Sequence, residues 1–480
     1  MRHFLSLTLA LLGTSLYAQA VRYCEGLSGP KIPGAVVILE SKKVEAGVCR
    51  VTAVVSHPPA KDQVRVFVGL PLNNWNGRFQ GIGGGGFTAG DVRRLTPALA
   101  AGFVAVATDA GHTTGGGGFA LDPNGRLDWL AIRNFAHVSI HEMTIIGKLL
   151  TVQFYERGPT YSYFNGCSTG GRQGLMEVQR YPDDYDGVLS GAPAIHWAKL
   201  HVAQMWGQLA MLEAKHYPAA CDKDDGVADG VIGDPRSCKF DPTALVGKPT
   251  GCGEFSEADA RIIRKIRDGP KRQEGGTIWY GLPRGAPFQG LSATGGDPLI
   301  GKPSGITLDW WKYFLTQNPN FEWTSANQAM YEQMFDQSVE EFNTVIGTDD
   351  ADITGFQKRG GKVLVWHGWA DPLIYPQGTL EYYERVREKL GANIDDVMRL
   401  YLAPGVGHCG GGEGAAPQEP FQALQAWVEQ GVRPETLTAV RRDQSGNVLR
   451  SRPLCRYPGV AKYKGSGNIE DAASFTCLPQ

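Results

Sequence analysis

Beyond residues 1–20, no stretch approaches the roughly 18 consecutive apolar side chains that a membrane-spanning helix needs. No C-x-x-C occurs, so a zinc ribbon or a thioredoxin-like redox site has no support. No G-x-G-x-x-G opens a helix and no Walker lysine follows a glycine loop, which argues against a nucleotide-phosphate cradle. An excess of either charge is also missing. Lys+Arg number 47 and Asp+Glu 49, leaving a formal net charge of −2 and no reason to expect nucleic acid or an anionic membrane as partner. There is no internal repeat and no low-complexity tract. With 42% hydrophobic and 20% charged residues, the chain can bury a sizeable core.

What is abundant is glycine, 63 of 480 residues, against an ordinary share of roughly 7%. Scattered rather than periodic, these glycines suit tight turns and close backbone approaches. At the start, Met1-Arg2-His3 is a short basic segment, Phe4 to Leu16 is largely apolar, and Ala18-Gln19-Ala20 is a small-x-small cleavage pattern. Residues 1–20 therefore read as a signal peptide, and the chain is expected to be secreted or periplasmic. Export makes disulfides the expected state of most of the nine cysteines, with one left over. Sequence proximity suggests Cys24–Cys49, Cys221–Cys238 and Cys455–Cys477.

Organisation follows from periodicity. Ala35 to Leu39, Cys49 to Val55 and Val64 to Val68 are β-rich runs ended by turn residues. Trp75 to Phe87 reads as a strand running into the glycine loop Gly83-Gly84-Gly85-Gly86. Phe103 to Thr108 is a continuous apolar run, as in a strand buried on both faces of a parallel sheet. Leu127 to Arg157 is helical in period, Tyr161 to Phe164 a strand, and Arg172 to Arg180 a helix. The rhythm stops from about Ala194 to Thr344. It resumes with a helix over Asp349 to Lys358, a strand over Gly361 to Trp366, a helix over Gly378 to Leu390, a strand over Met398 to Leu402 and a helix over Phe421 to Gln430. The expected fold class is α/β: a core over 21–193 and 346–480, with a large inserted lid domain over 194–345.

Gly166-Cys167-Ser168-Thr169-Gly170 is G-x-S-x-G between a predicted strand and a predicted helix. That context is the nucleophile elbow of an α/β-hydrolase, which exposes a serine at the sheet's carboxyl edge. A serine needs a base and the base an orienting carboxylate, in the chain order Ser, Asp/Glu, His. Asp371 and His408 each follow a predicted strand and fit that order. His367, at its strand's end, is the rival base and is expected to line the pocket instead. An oxyanion hole needs backbone amides, one from Thr169 and one from the loop Gly83 to Gly86.

Cys167-Ser168, Asp371 and His408-Cys409 resemble the Cys-Ser…Asp…His-Cys motif of the tannase and feruloyl esterase family, which also includes the hydrolase of mono(hydroxyethyl) terephthalate. Trp75-Asn-Gly-Arg-Phe79, Asp109-Ala-Gly-His112, Tyr185-Asp-Gly187, Gly191-Ala-Pro193 and Tyr463-Lys-Gly-Ser-Gly467 extend the resemblance over nearly the whole chain. It implies a secreted serine esterase acting on aromatic acid esters, a Cys167–Cys409 disulfide, and Gly86 and Thr169 as the oxyanion amides. It also implies a structural calcium ion in the lid. Cys221 to Val231 carries Asp222, Asp224, Asp225 and Asp229 in close succession, hard oxygen donors that suit calcium. By resemblance the ligands are the carboxylates of Asp222, Asp225 and Asp229 and the carbonyls of Val227 and Val231. The family's second short-range lid disulfide lacks one partner here, which makes Cys252 the odd, free cysteine.

For the substrate, the aromatic segment Leu308 to Phe314 places Trp310 where the terephthalate enzyme has a substrate-facing tryptophan. Ile374 is the expected pocket wall where that enzyme has phenylalanine. No arginine occurs between Arg284 and Arg359, so the carboxylate grip of the terephthalate enzyme is missing. Uncharged feruloyl or galloyl esters are therefore expected. The alternatives are a terephthalate half-ester hydrolase and a catalytically silent binding protein of the same fold. The sequence leaves the oligomeric state open.

Overall fold

The structure, a computed structural model, describes residues 23–211, 230–250, 253–288, 290–295 and 300–479. Nine strands form the main sheet. In chain order they are β1 (Val36–Glu45), β2 (Val48–Ser56), β3 (Val64–Pro71), β4 (Arg78–Ile82), β5 (Val104–Thr108), β6 (Tyr161–Cys167), β7 (Gly187–Gly191), β8 (Lys362–Gly368) and β9 (Met398–Ala403). Their spatial order is β1-β2-β3-β5-β4-β6-β7-β8-β9. The first four in that order pair antiparallel; from β5 onward every pairing is parallel. This is an α/β-hydrolase core, with the expected fold class.

The burial of each strand follows its residues. β1 alternates exposed and half-buried positions, as a sheet-edge strand does, whereas every residue of β5 and β7 is buried. Helices α1 (Ser139–Tyr155), α2 (Thr169–Arg180), α5 (Pro376–Leu390) and α6 (Pro420–Gln430) belong to the αβ alternation. Between α2 and α5 lie α3 (Glu257–Asp268) and α4 (Gln328–Ile346) of the inserted segment. Among the described residues, no strand between 194 and 345 joins the main sheet. The insert's Trp310, Trp311 and Phe314 pack into the same core cluster as Phe87, Phe135 and Trp197.

Three elements differ from the sequence reading. The helix expected over Leu127 to Arg157 is interrupted: Trp129–Arg133 is followed by a π-helical turn, Asn134–Val138, before α1. There the Ser139 hydroxyl donates to the Asn134 carbonyl at 2.7 Å, competing for the helical acceptor. The helix expected from Asp349 starts only at Thr354. Asp350 and Asp352 instead accept the amides two residues on, at 2.9 and 3.1 Å, which holds that stretch in turns. After α6, four strands that carried no expectation form two hairpins: Thr436–Arg442 with Val448–Cys455, and Val460–Tyr463 with Phe475–Leu478.

Candidate active site

β6 ends at Cys167 and α2 begins at Thr169, so Ser168 makes the turn between them. Its backbone lies at φ 63° and ψ −124°. A non-glycine residue there stores roughly 1–3 kcal/mol of strain, which the surroundings must hold. The glycines make that possible. A Cβ on Gly166 would lie 2.5 Å from the carbonyl carbon of Gly170, and one on Gly83 would lie 2.5 Å from the Gly170 Cα. The loop after β4 is thus packed backbone to backbone on the elbow.

Side chains fix this loop. Gln173, buried on α2, accepts the Gly84 amide through Oε1 and donates Nε2 to the Ala89 carbonyl, both at 2.9 Å. Thr169 Oγ1 donates to the Gly86 carbonyl at 2.7 Å. Gly86 itself has φ 57°. The Thr169 amide lies in the first turn of α2, where helical N–H groups have no intrahelical acceptor. The two residues expected to supply oxyanion amides are therefore directly bonded to one another.

Asp371 is fully buried just beyond β8. Its Oδ1 accepts the amides of Leu373 and Ile374 at 2.8 and 2.9 Å. Its Oδ2 lies 2.8 Å from His408 Nδ1 and 3.0 Å from His367 Nε2. Burial alone would raise this carboxyl, but the hydrogen bonds from His367 and His408 outweigh it and hold the group well below the usual carboxylate range. An ionised Asp371 fixes the His408 proton on Nδ1 and leaves Nε2 as a base. Cys167 and Cys409 form a disulfide with a Cα–Cα distance of 6.0 Å, so the chain neighbours of Ser168 and His408 are joined.

The other expected residues divide. Cys24–Cys49 and Cys455–Cys477 are disulfides. Cys238 is disulfide-bonded, while Cys221 and Cys252 lie outside the described residues. So do Asp222, Asp225, Val227 and Asp229; of the expected calcium ligands only Val231 is described, and it is buried. His367 is not a pocket wall. It is fully buried, with Nε2 between Asp371 and the Ile374 carbonyl and Nδ1 2.9 Å from Thr379 Oγ1. Trp310 is equally enclosed, its indole N–H donated to Ser338 at 3.0 Å and its ring stacked on Phe314. Ile374 is buried, and its amide serves Asp371.

Gln173, Thr379 and Ile306 carried no expectation. A Cβ on Gly86 would lie 3.3 Å from Ile306 Cδ1, which brings the insert onto the glycine loop. The available signal for Gln173 was an amide in a helix whose first ten residues are all buried.

Among the described residues, one cluster could hold a metal ion: His141, Glu177 and Asp184, whose ligating atoms lie within 4.8 Å of one another. His141 lies on α1, Glu177 near the end of α2 away from Ser168, and Asp184 in the turn beyond that end. His141 Nδ1 is 2.6 Å from Asp184 Oδ2, and neither oxygen of the buried Glu177 has a hydrogen-bond partner. Nothing there identifies calcium.

A cleft of about 1030 Å³ opens beside His408, at the upper end of the range for small-molecule sites. One wall is Trp369, Ala370, Pro372 and Gly407; the other, from the insert, includes Ile232, Arg267, Arg284 and Phe288.

The chain matches the family described as Tannase and feruloyl esterase over residues 49–287 and 306–478. It is 41% identical to a probable feruloyl esterase of Arthroderma benhamiae, covering 96% of this chain and 95% of that one. It is 33% identical to feruloyl esterase B of Aspergillus niger, covering 92% and 89%. The structure resembles the crystal structure of an esterase from Aspergillus oryzae with a TM-score of 0.83 and 28% identity, covering 95% of this chain and 99% of that one. The fold, the elbow and these likenesses agree: the chain belongs to the tannase and feruloyl esterase family and is a carboxylic ester hydrolase.

Proposed function

We propose that this hydrolase cleaves esters of phenolic acids, of the feruloyl or galloyl type, through an acyl-enzyme on Ser168. The observation that carries the reading is the hydrogen bond from His408, whose neighbour Cys409 is joined to the nucleophile elbow, to an ionised Asp371. In the reaction, Ser168 Oγ attacks the ester carbonyl while His408 Nε2 takes its proton. The Thr169 and Gly86 amides receive the negative charge that develops on the carbonyl oxygen. His408 then returns the proton to the leaving alcohol. Water repeats the sequence and releases the acid.

Segment 194–345 acts as the lid, with Ile306 over the oxyanion loop; its contact with Gly86 supports that role. The enzyme is exported, a reading supported by three disulfides among the described residues. Calcium is bound in the lid by Asp222, Asp225, Asp229, Val227 and Val231 and serves structure alone. Purified protein without calcium on metal analysis removes that part of the proposal. The test of the reaction is turnover of methyl ferulate, methyl gallate and a terephthalate half-ester by wild type and Ser168→Ala. Wild type hydrolyses a phenolic ester fastest, and Ser168→Ala loses roughly 10⁴–10⁶ in rate. Retention of more than a few per cent by Ser168→Ala overturns the nucleophile assignment.

A further inference from the structure

The cleft beside His408 contains an arrangement of cations that ester hydrolysis alone does not require. Arg264 faces Asp241 at 2.7 Å. Arg267 is spent on the insert's own backbone, donating to the carbonyls of Leu282, Pro283 and Ala286, with its guanidinium 4.6 Å over the Phe288 ring. Of the described carboxylates lining the same cleft, Asp241 is held by Arg264 and Glu413 by Arg441, and Asp268 is exposed. Among the described residues, Arg284 has no hydrogen-bond acceptor or carboxylate partner, and it is partly buried. Lys239, another described cation there without a partner among the described residues, is exposed. The Arg267 guanidinium is lowered to about 10 by burial and further by the charge of Arg284 beside it. Two neighbouring guanidiniums, one already saturated with carbonyls, leave Arg284 in need of an anion.

The position of the cleft says which half of an ester that anion belongs to. Its walls include His408 and Gly407 but not Ser168, Gly86 or Thr169. The acyl half is bound to Ser168 with its carbonyl oxygen in the glycine loop. His408 delivers the proton to the departing alcohol. A cleft on the histidine side therefore takes the alcohol half. From this geometry we infer that Arg284 is a specificity residue for phenolic esters whose alcohol carries a carboxylate, as in esters of hydroxy acids or sugar acids. A planar guanidinium donates two parallel hydrogen bonds to a carboxylate, a pair of acceptors that a neutral alcohol lacks. The aromatic acid remains uncharged; the charge sits across the scissile bond from it.

This assignment rests on the phenolic-esterase reading, and its test separates the two. The probes are the feruloyl ester of 4-hydroxycyclohexanecarboxylic acid and the same ester with the carboxylate converted to a primary amide. The quantity read is the ratio of kcat/KM for acid over amide within each protein, so that a general loss of activity in a variant cancels. Wild type prefers the acid, and the preference shrinks with added salt. Arg284→Gln lowers the ratio by roughly 10- to 100-fold, mainly through KM, and Arg284→Lys keeps part of it. A wild-type ratio at or below unity overturns the assignment without reference to any variant, as does an unchanged ratio in Arg284→Gln. Failure of wild type to hydrolyse either probe or methyl ferulate overturns the phenolic-esterase reading instead.

Discussion

His367 and His408 share one oxygen of Asp371, at 3.0 and 2.8 Å. His367 Nε2 also lies 3.0 Å from the Ile374 carbonyl. Two acceptors on one ring nitrogen require that nitrogen to carry the proton, so His367 is a donor and Thr379 supplies the hydroxyl to its Nδ1. The residue that reads as a rival base in the sequence holds the carboxylate that His408 contacts.

His367→Leu removes that donor while roughly keeping volume, and is expected to lower kcat by roughly 10- to 100-fold with little change in KM. It also has a pH signature. The Asp371 carboxyl is depressed in the folded protein. Its stabilising contribution is therefore present above the unfolded value near about 4 and is lost as pH falls through the folded value. Without His367 the folded value rises, so His367→Leu lowers Tm at pH 7 and the deficit narrows in acid. His367→Gln, which can still donate, recovers part of kcat. An equal Tm deficit at all pH values would mean that the defect is packing alone.

Gln173 bonds Gly84 and Ala89 across a buried gap, so its loss leaves both backbone groups unpaired. Gln173→Leu is expected to cost about 1–3 kcal/mol of stability. Since the same loop carries Gly86, kcat is expected to fall by roughly 10- to 100-fold. Denaturant unfolding and steady-state kinetics read the two effects separately. A loss of stability with kcat unchanged would show that the loop keeps its shape without the amide bridge.

How much of this was legible in the sequence depended on whether the determining contacts were local. β5 was readable because it is buried on both faces and so is apolar from Val104 to Ala107. The elbow was readable because Gly166, Ser168 and Gly170 lie within one turn, and its tight packing requires those glycines. The surroundings of His367 are not legible because they involve Thr379 and a carbonyl seven residues on, neither of which chain spacing reveals. The enclosure of Trp310 is not legible for a related reason. An aromatic run suits a substrate slot or a core equally, and the contacts of Trp310 with Ser338 and Phe314 come from the fold. Arg284 was seen only as the end of an arginine-free stretch; its place in the cleft comes from the fold of the insert.

Glu177 gives opposite predictions for a proton and for a metal. It is fully buried with neither oxygen hydrogen-bonded, and burial, with the negative charge of Asp184, pushes its carboxyl well above the usual range. The folded protein then keeps a proton that the unfolded chain releases above about pH 4. Stability falls as pH rises through that window, by at most about 1.4 kcal/mol per pH unit for one proton. Glu177→Gln removes the slope, so its Tm gains on wild type steadily from pH 5 to pH 8. A divalent ion held by His141, Glu177 and Asp184 reverses the sign: Glu177→Gln then lowers Tm at pH 8, and a chelator lowers that of wild type. Melting curves with and without chelator across that range decide between them.

The Cys167–Cys409 disulfide spans 242 residues of sequence, and the whole insert lies inside that loop. Closing so long a loop stabilises the fold by up to about 5 kcal/mol in the chain-entropy picture. Geometry gives it a second effect. His408 is anchored to Asp371 on one side, but its loop is built from Gly405, Gly407, Gly410, Gly411 and Gly412 and is tied to itself by the Gly407 amide on the Gly411 carbonyl at 3.1 Å. Ser168 is fixed separately, by the elbow glycines. The disulfide is the covalent link between the two segments, and a misplacement of about 1 Å between nucleophile and base can cost roughly 10²-fold in rate. Cys167→Ala with Cys409→Ala is therefore expected to lower kcat more than it raises KM at temperatures where the variant remains folded. Mass spectrometry of the unreduced protein comes first and must yield a linked 167–409 peptide. With the link present and kcat unchanged in the folded double variant, the bond would serve stability alone, and Asp371 would be sufficient to place His408.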